Sequence, residues 1–306
     1  MMISINNTNI NILAGNHYNY IKQHFDNKKS GYEYSTIDQW FKTNGLGLSF
    51  KEVILADMKD LPKIKNAYHE SNYPKEIKFI RNQLYTNNFS KSSGYLKGGH
   101  YNAAKLVLDL GIIVCPYCNR NYINNAESSI KGVKRTSQLD HFYSSSKYPF
   151  LAMSFFNLIP SCSGCNLFKS HEMVYYSPYN TKFTPNELFN FKLEAKSLVD
   201  PNDLSNINLE LVNIHKRIHG NINIFRLESQ YRVHRDLVQD LIIRSKMYTP
   251  ERINELKKDF SKLNLHENDF NRIMYGNYLE EENFHKRPLS KLTSDIIKEL
   301  KSLSRK

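Results

Sequence analysis

Two knuckles, Cys115-Pro116-Tyr117-Cys118 and Cys162-Ser163-Gly164-Cys165, bracket Leu139-Asp140-His141-Phe142 and Phe156-Asn157-Leu158, and Asn166 follows the last cysteine directly. The knuckles hold all four cysteines of the 306 residues. Each sets two thiolates in one tight turn, and two such turns supply the tetrahedral sulfur set of a structural zinc site. A thioredoxin-like motif needs only one pair, near a βαβ pattern. Two pairs around an Asp-His dipeptide therefore predict Cys115, Cys118, Cys162 and Cys165 as zinc ligands. The ion would staple the Asp140-His141 segment against the helix that carries Asn166.

Hydrolysis of a phosphodiester calls for a general base, a divalent cation and groups that hold both. His141 is the candidate base, because a neutral imidazole can take a proton from water near neutral pH. Asp140 offers a carboxylate oxygen to a hard cation such as Mg²⁺ or Mn²⁺. Asn166, in a first helical turn, offers a second oxygen; the same residue type also caps helices. Asn157 can bond backbone on both sides, pin the loop and orient His141. Lys169 and His171 are candidate substrate contacts. His171 is also a candidate third metal ligand, although a five-residue step from Asn166 turns it away from that face. A surface role for either is as good a reading.

Working outward, residues 1–108 form a helical N-terminal region on pattern grounds. Tyr20, Ile21, His24 and Phe25 share a face, as do Val53, Ile54, Asp57, Met58 and Leu61, with Pro62 as the expected stop. Glu76–Leu84 and Asn102–Leu110 are further helices. Ser90–His100 and Asn124–Ser137 are predicted as loops, and Gln138–Phe142 as a short strand. Residues 109–180 hold the motifs, with a helix expected over Asn166–His171. Residues 181–306 begin with two alternating strands, Phe189–Leu193 and Ile207–Leu211, around the turn Asp200-Pro201-Asn202-Asp203. A stripe of Leu227, Tyr231, His234, Val238, Leu241 and Ile242 follows, then helices near Pro250–Leu263 and Ile296–Leu300. The expected class is mainly α with a small α+β insert.

Composition narrows the partners. The formal net charge is +12, and 37 of the residues are Tyr (20) or Phe (17). So basic a chain is attracted to polyanions, nucleic acid foremost, though the same charge also serves solubility. The aromatic content argues against general disorder. The start of the chain does not read as a signal peptide, and no apolar run approaches the roughly 18 residues that span a bilayer. A cytoplasmic location is expected, where C-x-x-C pairs bind metal or do redox chemistry rather than form structural disulfides.

The ordered set Cys115-x-x-Cys118, Leu139-Asp140-His141-Phe142, Asn157-Leu158-Ile159-Pro160, Cys162-x-x-Cys165-Asn166 and Lys169 resembles the HNH (ββα-metal) endonuclease family, in its four-cysteine zinc branch. The resemblance covers about residues 112–175. It implies a ββα-metal core flanked by helical regions, with His141 as general base and Asp140 and Asn166 holding one divalent ion. Asn157 would order the loop. One departure is plain: where many members carry a second His one helical turn on, this chain has Ser170. The flanks, including Lys286-Arg287-Pro288-Leu289-Ser290-Lys291-Leu292, are similar to nuclease subunits of bacterial anti-phage defence systems of the Septu and retron type. That weaker resemblance implies an ATPase subunit as partner; DNA is expected over RNA, though the site residues themselves do not distinguish the two. Two other functions fit the same residues: a zinc-stabilised nucleic-acid-binding or adaptor module without turnover, and a toxin-like RNase.

Overall fold

The computed structural model describes residues 3–26, 31–68, 73–90, 101–128 and 132–303. These are mostly helical, with three two-stranded antiparallel sheets among them. Two compact units are formed, one from Ser4–Cys115 with Ile123–Thr181, the other from Met1–Ile3, Pro116–Tyr122 and Lys182–Lys306. The N-terminal helices and most of the motif region thus share one unit.

In the first of these units, helix α1 (Ile10–Asp26) buries Ala14, His17, Ile21 and Phe25, one face at three- and four-residue spacing. Helix α2 spans Tyr34–Thr43. A Ser49–Glu52 capping box opens α3 (Phe50–Leu55). That helix stops at Leu55, and Pro62 lies in the first turn of a new one, α4 (Leu61–Ala67). Pro62 therefore starts a helix rather than ending one. Its ring presets φ, and a first-turn residue needs no N–H donor. Phe41 stacks on Phe50 with ring centroids 5.3 Å apart, and Tyr68 meets Phe150 at the same distance.

Helix α5 (Lys75–Phe79) runs into a π-helical stretch, Ile80–Phe89, in which Ser90 N bonds Tyr85 O at 2.7 Å. The loop predicted for Ser90–His100 lies, apart from Ser90, outside the described residues. Asn102 caps α6 (Ala103–Leu110) by accepting from the amides of Ala104 and Lys105, and Gly111 closes it at φ +68°.

Part of the segment predicted as a loop, Asn124–Ser137, is a hairpin of β1 (Asn125–Ser128) and β2 (Gly132–Arg135), in register Asn125 with Arg135. Its sequence is polar on both faces, so no alternation marks it. The backbone ladder forms nonetheless, and Asn125 Nδ2 ties it to α6 through Ala104 O. Strands β3 (Gln138–His141) and β4 (Leu158–Ser161) then pair antiparallel, with Asp140 opposite Ile159 and His141 opposite Leu158. Helix α7 (Ser163–Lys169) follows and packs on β3.

In the other unit, β5 (Phe189–Leu193) pairs with β6 (Leu209–Asn213), so the second strand starts two residues later than its apolar pattern suggests. The helix Ser290–Leu303 buries its first eight residues and packs on β5. The expected apolar stripe is carried by three consecutive helical segments, Leu227–Tyr231, Arg232–His234 and Arg235–Met247. Helix Pro250–Asp259 buries none of its residues, so its pattern of Ile253 and Leu256 serves a surface. Among the described residues no helix is long and apolar enough to cross a membrane.

Candidate functional site

The sulfurs of Cys115, Cys118, Cys162 and Cys165 are all buried and lie within 4.8 Å of one another. A zinc ion with four thiolates at about 2.3 Å spaces its sulfurs about 3.8 Å apart. The four cysteines can thus hold a metal such as zinc with small adjustments. Backbone amides already point at the sulfurs. Arg120 N lies 3.4 Å from Cys118 Sγ, Cys162 N 3.4 Å from Cys115 Sγ, and Cys165 N 3.5 Å from Cys162 Sγ. Such N–H···S bonds orient the sulfurs of the cluster. Cys162 is at the same time the N-cap of α7. The capping role open to Asn166 in the sequence is therefore filled by a cysteine four residues earlier.

His141, at the end of β3, is only 9% exposed. Its Nε2 lies 3.0 Å from the carbonyl oxygen of Ala152. A carbonyl can only accept, so Nε2 carries the proton and Nδ1 keeps the lone pair. Burial lowers the His141 pKa to about 4; the Ala152 bond opposes this, and the charges of Lys169 and Arg81 add to it. The ring is therefore neutral at pH 7, with a proton acceptor on Nδ1.

Asn157 anchors the turn that presents Ala152. Its Oδ1 accepts from Tyr143 N at 2.7 Å, and its Nδ2 donates to Tyr143 O at 3.1 Å and Leu151 O at 2.9 Å. Every bond is buried, so this amide fixes the carbonyl that fixes His141.

Asp140 and Lys169 form a buried pair at 3.1 Å, and Lys169 Nζ also donates to His141 O at 2.6 Å. The position of Lys169 differs from the sequence expectation of a phosphate contact. It is fully buried, and its ammonium is engaged by strand β3. Asn166 sits in the second turn of α7, and its Nδ2 donates to Gln138 Oε1 at 2.5 Å. That bond leaves its Oδ1 turned from Gln138. Helix α7 ends at Lys169, before the expected His171, because Ser170 takes φ +45° and ψ −114°. The reversal carries His171 to an exposed position, where its Nδ1 lies 3.2 Å from Ser144 Oγ and 3.3 Å from Ser146 Oγ.

Three residues around His141 had no motif to announce them. Tyr85, on the π-helical stretch, meets the His141 ring edge-on at 4.3 Å between centroids and donates its hydroxyl to Leu139 O at 3.1 Å. Arg81 lies near enough for its charge to act on His141, and Arg135 on β2 acts likewise on Tyr85. Comparison with family models, curated proteins and solved structures returns no match.

Proposed function

We propose that the chain is a metal-dependent endonuclease of the HNH type, cleaving phosphodiester bonds of nucleic acid, with DNA the favoured substrate. The observation that carries this is the His141 imidazole, whose Nε2 proton is committed to Ala152 O and whose Nδ1 is left as the acceptor. The order of β3, β4 and α7, with the cysteine cluster at the start of the helix, supports a ββα core. His141 takes a proton from the attacking water at Nδ1. Asn157 holds the turn that orients it, and Lys169 fixes Asp140 and the His141 backbone.

The oxygen donors of Asp140 and Asn166 suit a hard cation of the Mg²⁺ or Mn²⁺ kind, with waters completing its shell. Such an ion, when bound, supplies charge stabilisation at the phosphate and the leaving oxygen. Lys169 balances the Asp140 charge in its absence. The net positive charge supports backbone contacts to a polyanion. As nuclease effector of an anti-phage defence system, the chain would act with an ATPase subunit; this rests on the sequence resemblance alone.

The test is cleavage of plasmid, single-stranded DNA and total RNA by the purified chain, with EDTA and with added Mg²⁺ or Mn²⁺. Wild type is expected to cut only with metal, and His141→Ala to lose roughly 10²–10⁴-fold in rate while keeping its fold and its nucleic-acid binding. Binding without cleavage under every metal condition would favour the adaptor reading, and cleavage of RNA alone the RNase reading.

A further inference from the structure

Arg81 and Arg135 each carry one buried guanidinium donor that the described residues leave unsatisfied. Nε of Arg81 and Nη1 of Arg135 are buried and meet no acceptor among the described residues. Neither arginine forms an ion pair among the described residues. Among the described residues each makes one neutral bond, Arg81 Nη1 to Asn82 Oδ1 at 3.2 Å and Arg135 Nη2 to Ser90 Oγ at 3.4 Å. Buried polar groups in folded proteins are almost always bonded, and an orphaned donor on a charged group is costly. Burial accordingly disfavours the charged form of Arg135.

The winding of the chain aims these groups at one place. At 3.6 residues per turn, the five-residue step from Tyr85 to Ser90 would turn a side chain about 140° away. The i→i+5 bonding of Ile80–Phe89 closes most of that angle, so Arg81, Tyr85 and Ser90 form one row. Tyr85 touches the His141 ring, and Ser90 holds Arg135. The row therefore sets both guanidiniums around the Tyr85–His141 contact.

We propose that Arg81 and Arg135 form a phosphate-binding subsite beside His141, filled by a backbone phosphate of the nucleic acid. Tyr85 is its positioning residue. The subsite deepens the nuclease proposal and rests on it for the identity of the ligand. Guanidinium is suited to the role because its planar fork matches phosphate oxygens in pairs. It supplies the anion contact that the buried Lys169 does not.

The probe is inorganic phosphate on the full chain, melted in phosphate and in chloride of equal ionic strength. A ligand that binds the folded state raises the melting temperature. Phosphate is expected to raise that of wild type, to raise that of Arg135→Gln less than half as much, and to leave the Arg81→Gln/Arg135→Gln double variant unmoved. In chloride the double variant is expected to melt no lower than wild type, since it sheds orphaned charges; a merely structural pair would lower it. An Arg81→Lys/Arg135→Lys variant should keep part of the increment. An equal phosphate increment in wild type and the glutamine double variant, or none in wild type, overturns the subsite. With oligonucleotide substrate the glutamine double variant should raise KM about tenfold or more and flatten its salt dependence, with kcat changed less. An arginine-dependent phosphate increment in a chain that cuts no nucleic acid would keep the subsite and refute the nuclease.

Discussion

Among the described residues two aspartate–lysine pairs are sealed from solvent, and they are built differently. Lys291 and Asp295 sit one turn apart on the Ser290–Leu303 helix, with Nζ 2.7 and 2.6 Å from the two carboxylate oxygens. Asn186 and Asn190 add acceptors at 2.9 and 3.0 Å, and Asp295 Oδ2 also accepts from Phe191 N. Burial lowers the Lys291 pKa and raises that of Asp295, and the partner's charge opposes each shift. This pair is saturated by its own unit. Asp140 and Lys169 instead join a strand to a helix at 3.1 Å, and the lysine turns a second bond to His141 O. The first arrangement locks a helix onto a hairpin. The second ties a strand to a helix beside His141, and under the proposed function its carboxylate would be shared with a cation.

The largest expected effect tests what the second pair stands on. Cys162 caps helix α7, so the Asp140–Lys169 contact depends on the cysteine cluster. Zinc held by such sites contributes on the order of 10 kcal/mol to folding. Elemental analysis should find about one zinc per chain, and Cys165→Ser should lower the melting temperature steeply. Amide exchange should then show Asp140 and His141 losing protection. A zinc-free preparation with unchanged melting would remove the staple from the comparison.

Next come the lysines themselves. Lys291→Met leaves Asp295 buried without its ammonium and should cost about 3–5 kcal/mol in denaturant titrations, with cleavage per folded molecule unchanged. Lys169→Met should lower cleavage at least about tenfold, because the His141 carbonyl and Asp140 both lose their anchor. If Lys291→Met removes cleavage from a normally folded chain, or Lys169→Met spares it, the contrast between the pairs is wrong.

A smaller effect comes from a buried histidine outside both pairs. His17 has its Nε2 2.9 Å from Met153 O, and burial lowers its pKa to about 4. Between the unfolded value near 6.5 and that folded value, the unfolded chain binds the extra proton. Stability should therefore fall as pH drops through this window, by about 2 kcal/mol at pH 5. The slope of melting temperature between pH 7 and 5 should flatten in His17→Gln.

The smallest concerns His171, held by two serines at the surface. His171→Ala should weaken nucleic-acid binding mildly, less so as salt rises, and leave the metal requirement unchanged. A metal titration at two salt concentrations checks it; a clear shift in half-maximal metal would make His171 a ligand after all.

The sequence made the cysteine cluster legible because knuckle spacing is local, and it marked β3 and α6 for the same reason. The hairpin at Asn125–Arg135 escaped because its strands carry no apolar alternation. The surroundings of His141 escaped because they come from 56 residues upstream at Tyr85 and 60 at Arg81, on a π-wound segment whose period no α-helical pattern matches. Lys169 was named, but spacing alone could not say that its ammonium turns inward to β3.

The His17 contact also bears on how the chain is made. It spans 136 residues, and Ile5 N reaches Pro178 O across still more. The helices of the first hundred residues emerge early from a ribosome but cannot close their core until the segment around Met153 has followed. Such long-range closure is slow, and apolar faces stay open meanwhile. Nascent chains halted before that point should be the aggregation-prone species and the ones that engage chaperones.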